Sequence, residues 1–231
     1  MLDQPSKLPV VILISGTGSN MQRLAELAQS GELPIDIKAV ISDRASAQGL
    51  VTAARLGIAT ATLSPKQFAE RTQFDAALAE LVASYAPQLV VLAGFMRILS
   101  NNFIARFADR MINIHPSLLP KHRGLHTHQR AIEAGDVEHG ASVHFVNQEL
   151  DGGAVIIQAR VPVLPDDTPD LLAQRVLQQE HQIFPAAVRL IATGRIKSRD
   201  GTAWLDDQEL REPIQVLSTD ITPDITEMPR S

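Results

Sequence analysis

Apolar and polar positions along the chain fall into two alternating textures. Short, continuously apolar runs, "PVVILIS" (9–15), "IKAVIS" (37–42) and "QLVVLAG" (88–94), read as strands covered on both faces. Longer segments of helical period separate them. "NMQRLAELAQSG" puts Met21, Leu24, Leu27 and Ala28 on one helical face and stops at Gly31, and "QGLVTAARLG" stops at Gly57. "FAERTQFDAALAELVASYAP" repeats the pattern at greater length and ends before Pro87. The order β-α-β-α-(short β)-α-β predicts a doubly wound α/β half with a mostly parallel sheet.

Past residue 110 the pattern changes. "GASVHFVNQ" and "AVIIQARVPV" alternate or nearly so around the turn-rich "ELDGG", which predicts an antiparallel hairpin. "TPDLLAQRVLQQEHQIFPAAVRLIATG" predicts a helix opened by Thr168, with Pro169 in its first position, and closed at Gly194. Pro185 is expected to bend or split it. The fold class is therefore α/β: a Rossmann-like, doubly wound, mostly parallel sheet with an antiparallel hairpin in the C-terminal half. After Trp204 the apolar period fades into "LSTDITPDITEMPRS", so residues 211–231 are expected to form a mobile tail behind a single domain of residues 1–210.

Composition then narrows the chemistry. The chain has 231 residues, 45% hydrophobic and 20% charged, ordinary globular usage with room for a real core. Without cysteine it has no disulfide, thiolate metal site or catalytic thiol. A net charge of -5 argues against nucleic acid as a partner. No run reaches the length of a membrane helix and "MLDQPSKLP" lacks the order of a secretory signal, which predicts a cytoplasmic protein with no membrane partner.

Three stretches carry candidate chemistry. "ISGTGSN" (14–20) is a glycine-rich turn from strand to helix, suited to phosphate because small residues let backbone N–H groups and the helix's positive end approach an anion. The bland alternative is a tight connection capped by Ser19 or Asn20. "MINIHPSLLPKHRGLHTH" (111–128) holds four histidines. Asn113 and His115 are two apart on a strand end and share a side, pairing an amide donor with an imidazole, as an acyl oxyanion requires. Pro116 then turns the chain away. Asp151, in "ELDGG", is either a solvated turn residue or a carboxylate folded over His115. A metal hydrolase using His115, His122, His126 and His128 is the alternative from another class, but no second half of a ligand set follows, and no metal is expected.

Together with "VLAGFMRILS", these stretches resemble the folate-dependent formyltransferases, and within them the phosphoribosylglycinamide formyltransferases of purine synthesis, over about residues 9–210. The resemblance implies catalytic roles for Asn113, His115 and Asp151. It implies phosphate binding by Gly18, Ser19 and Asn20, and a hold on the amine-bearing substrate by Glu180. It implies folate contacts at Arg71, Met96, Arg97, Ile98 and Leu99, with Asn113, Val146 and Asn147 completing that set. By the same resemblance 10-formyltetrahydrofolate is the formyl donor, phosphoribosylglycinamide the acceptor, and the N-terminal half the phosphate-binding one, with folate binding and catalysis in the C-terminal half. The sequence departs from the family's pattern at Thr17, in "PKHRG" and at Leu177. Two alternatives stay open, a formyltransferase for another amine such as a sugar nucleotide and a non-catalytic phosphate-binding module.

Overall fold

The apolar runs do become strands. In a computed structural model that describes residues 7–217, contacts divide the chain after Asn113 into two compact units, where the sequence predicts one domain to residue 210. In the first unit β1 (Leu8–Ile14) leads through α1 (Ser19–Ser30) to β2 (Ile35–Ser42), and α2 (Gln48–Arg55) leads to the short β3 (Thr60–Thr62). A 3-10 turn at Pro65–Gln67 and α3 (Arg71–Ser84) then bring the chain to β4 (Leu89–Leu92), and α4 (Asn101–Arg106) brings it to β5 (Met111–His115). The strands pair in parallel in the order β5-β4-β1-β2-β3, a doubly wound arrangement. Val10 to Ile14 of β1 and all four residues of β4 are buried, as strands with helices on both faces must be. Met21, Leu24, Leu27 and Ala28 form the buried stripe of α1.

β5 carries the chain into the second unit, where α5 (Thr127–Glu133) precedes the predicted hairpin of β6 (Glu138–Phe145) and β7 (Val155–Pro162). α6 (Pro169–Ala192) follows, its Thr168 hydroxyl accepting from the amide of Leu171. It does not split at Pro185. The proline and its neighbours from Ile183 to Val188 are all buried, and that packing outweighs the one backbone bond a proline removes.

A small antiparallel sheet of β8 (Ile196–Arg199), β9 (Thr202–Leu205) and β10 (Gln208–Glu209) comes next. The chain then returns as β11 (Ile214–Leu217), parallel to β7. Part of the expected tail is thus an edge strand, with Ile214 and Val216 buried; residues 218–231 lie outside the described residues. No helix among the described residues is long and apolar enough to cross a membrane.

Candidate active site

The glycine-rich loop is shaped by one close approach. Gly18 is the N-cap of α1, with φ 73°, and a Cβ there would sit 3.0 Å from Cα of Gly49 at the start of α2. The Gly49 amide donates to the carbonyl of Gly16, tying the loop to α2. The capping alternative is not what forms: the cap is Gly18 rather than Ser19 or Asn20, and there is no side-chain cap hydrogen bond. A helix start of that kind presents N–H donors and positive dipole to an anion.

The loop after β4 holds four of the predicted folate positions. Met96 and Ile98 are more than half exposed, whereas Leu99 is buried. Arg97 turns inward, its guanidinium 4.9 Å from the centre of the Phe74 ring and 4.0 Å from the buried Asp43 carboxylate. The Arg71 guanidinium donates to the carbonyl of Ile98, and the Ser15 hydroxyl accepts from the amide of Met96 at 2.9 Å, so the segment is held by its backbone while the Met96 and Ile98 side chains face out. Arg71 and residues 96–99 lie in the first unit with the glycine-rich loop; of the other expected folate positions, Asn113 ends that unit and Val146 and Asn147 lie in the second.

In the second unit Asp151 does fold over His115. Oδ2 of Asp151 stands 3.5 Å from Nδ1 of His115, both side chains nearly buried. The loop of residues 146–154 presents the carboxylate. Asp151 takes a left-handed φ of 49° and accepts the amide of Gly124 at 2.8 Å, and the Asn147 side chain bonds the loop at Gly152 and Glu149. Gly153 is required because a Cβ there would overlap the carbonyl oxygen of Phe145. On the other edge of the imidazole, Nε2 lies 3.0 Å from the carbonyl oxygen of His122. Both ring nitrogens therefore face oxygen acceptors. Asn113, two residues back on β5, shares the side of His115.

His144 completes this centre and was not singled out by the sequence. It is buried, its Nδ1 2.8 Å from the Phe145 carbonyl and its Nε2 3.7 Å from Oδ1 of Asp151. Burial pushes its pKa down to about 4, so at neutral pH it is an uncharged ring beside the carboxylate. Its one signal in the sequence was alternation, since Ser142 and His144 fall on one side of β6. A break in register between Val143 and His144 lies next to it.

The other histidines are engaged elsewhere. Nε2 of His122 is 2.6 Å from Oδ2 of Asp136, His128 and His139 share a 3.2 Å contact, and His126 begins α5 in a left-handed conformation. Among the described residues no group of three or more His, Asp or Glu is placed to hold a metal. Glu180 is buried, 8% exposed, while Leu177 is partly exposed one turn away.

The formyl transferase family model matches residues 8–188 of this chain. The chain belongs to the formyl transferase family. The phosphoribosylglycinamide formyltransferase of Escherichia coli (strain K12) is 50% identical over 201 residues, covering 87% of this chain and 95% of that protein. The Haemophilus influenzae protein of the same name is 46% identical with the same coverage. Among solved structures, the phosphoribosylglycinamide formyltransferase of Coxiella burnetii superposes with a TM-score of 0.86 at 45% identity, over 90% of this chain and 99% of that one. This formyl transferase thus has the α/β class that its apolar runs predict.

Proposed function

We propose that this formyl transferase moves the formyl group of 10-formyltetrahydrofolate to the amine of phosphoribosylglycinamide, giving phosphoribosyl-N-formylglycinamide and tetrahydrofolate. The observation that carries the reading is the 3.5 Å approach of Asp151 to His115 beside an asparagine on the same strand. That pairing supplies what amine attack on a formyl carbon demands, N–H donors for the oxygen that gains charge and a carboxylate to orient the donating ring.

The roles proposed for the residues join the family resemblance to this arrangement. The Asn113 amide donates to the formyl oxygen, and His115 donates to it from Nε2, sharing that hydrogen with the carbonyl of His122. Asp151 accepts from Nδ1 of His115, orients the ring and takes the amine's proton through water. Gly18, Ser19 and Asn20 bind the phosphate through backbone N–H groups at the start of α1. Glu180 holds the amine-bearing end of the substrate, and Val146 and Asn147 form a wall on the folate side.

The formyl donor supplies the one-carbon group, and the residues implied for it fit a flat, partly apolar ring. Met96 and Ile98 offer exposed apolar surface on a backbone fixed by Arg71 and Ser15, with Arg97 and Leu99 anchoring the segment beneath. The reading places the reaction in the cytoplasm, since a phosphorylated substrate does not cross a bilayer unaided.

The test is a substrate comparison. With 10-formyltetrahydrofolate present, phosphoribosylglycinamide should support release of tetrahydrofolate and formation of the N-formyl product, while a sugar-nucleotide amine should not. Transfer to that other amine alone, or binding of the ribonucleotide without turnover, would overturn the proposal.

A further inference from the structure

The loop between β5 and α5 contains a relay of contacts that reaches His115 from behind. The His122 carbonyl oxygen lies 3.0 Å from Nε2 of His115. His122 has a left-handed φ of 52°, a conformation that an L-residue with a bulky side chain adopts only when its surroundings hold it there. What holds it is the ring: Nε2 of His122 meets Oδ2 of Asp136 at 2.6 Å, both side chains being largely buried. Asp136 follows α5 and its amide bonds back to the carbonyl of Ala131, so the clip spans the whole of that helix. Its second oxygen takes Lys121 Nζ at 2.9 Å, and the Lys121 carbonyl accepts from the Ser117 hydroxyl at 2.6 Å.

We propose that His122 is a positioning residue for His115: its ring, clipped to Asp136, fixes the direction of its carbonyl, and that carbonyl fixes the imidazole of His115 through Nε2. The inference rests on the proton-handling role of His115 proposed above. An imidazole linked to one carboxylate at Nδ1 can still swing about that contact; a second acceptor at Nε2 removes the swing and keeps the donating edge aimed. The groups facing the His122 ring are Asp136, with Lys121 behind it, and the edge-on ring of His139 at 6.0 Å, itself against His128 at 5.2 Å. Arg123, next along the loop, is occupied by Glu149, and its neighbour Gly124 donates to Asp151. The clip therefore also tethers the stretch whose amide meets the second carboxylate of the site. The His122 bond, and then the Lys121 bond, hold the Asp136 carboxyl below the usual carboxylate range, so the acceptor stays charged well into mild acid.

The test uses the full chain with His122→Ala, His122→Gln, Asp136→Asn and the double variant His122→Ala/Asp136→Asn. His122→Ala and Asp136→Asn should each lower kcat about tenfold, with KM for both substrates little changed and the pH profile of kcat displaced. His122→Gln, which can still donate to Asp136, should recover most of the loss, and the double variant should be no worse than either single one. Ring-nitrogen resonances of His115 provide a readout independent of turnover and should move in both single variants. Unchanged His115 resonances, or an unchanged pH profile with additive losses in the double variant, would overturn the inference. Full activity in His115→Ala with His115 resonances that do move in His122→Ala would instead overturn the catalytic role and leave the positioning contact standing.

Discussion

Nδ1 of His115 and Oδ2 of Asp151 lie 3.5 Å apart although 36 positions separate them in the sequence, and neither side chain is more than about a tenth exposed. Two separate features bring them together: Pro116 ends β5 directly after His115, and the left-handed turn at Asp151 aims its carboxylate back toward that strand end. Under the proposed function, removing either group, or Asn113, takes a donor or its orienting partner from the developing oxyanion. Asn113→Ala, His115→Ala and Asp151→Asn should each lower kcat at least about tenfold with the circular dichroism spectrum intact, a single oxyanion donor commonly being worth about 10²- to 10³-fold. Steady-state rates on the purified variants check this.

Gly18 is the weak point of the glycine-rich loop proposed to hold the phosphate. Its φ of 73° disfavours any side chain, and a methyl would press on Cα of Gly49. Gly18→Ala should cost about 1 to 3 kcal/mol of stability and raise KM for the ribonucleotide several-fold more than KM for the folate. Denaturant unfolding and the two KM values read the outcome; equal effects on both substrates would argue against a phosphate at this loop.

Burial lowers the pKa of both His144 and His139 to about 4. An unfolded histidine titrates near 6.5, so between about 6.5 and about 4 the unfolded chain binds protons that the folded chain refuses. Their contribution is complete above about pH 6.5, declines as pH falls and levels off below about 4, with an upper bound of about 3 kcal/mol for each group. The thermal midpoint should therefore drop steadily from pH 6.5 to 4, and His139→Gln should flatten part of that slope. A midpoint independent of pH over this window would contradict it.

Ile214 and Val216 are buried on β11, so replacing both with alanine should lower stability by about 3 kcal/mol. Urea unfolding checks the figure, and no change would mean that this segment contributes nothing to the fold.

What the sequence showed and what it hid follow from how far each signal extends. β1, β2, β4 and the β6–β7 hairpin were legible because each is a run of at least four residues with one consistent pattern, and α6 because Thr168 and Pro169 mark its start. β11 was not legible: only Ile214 and Val216 alternate around one polar residue, too short a pattern to stand out from the Pro- and Thr-rich stretch that follows. The continuity of α6 through Pro185 was hidden for the opposite reason, since a strong local signal yields to burial that only the folded chain reveals. In the site, Asn113 and His115 were readable as an i, i+2 pair on a strand. Their meeting with Asp151, the buried His144 and the His122–Asp136 clip depends on loops whose course no period encodes.

The central claim is that His115, oriented by Asp151, donates to the oxygen of the formyl group while the amine attacks. The most direct measurement is the single-turnover rate of formyl transfer to phosphoribosylglycinamide in His115→Ala, with both substrates saturating and folding verified. The account predicts a rate at least about 10²-fold below that of the unaltered protein. A rate equal to that of the unaltered protein would contradict it.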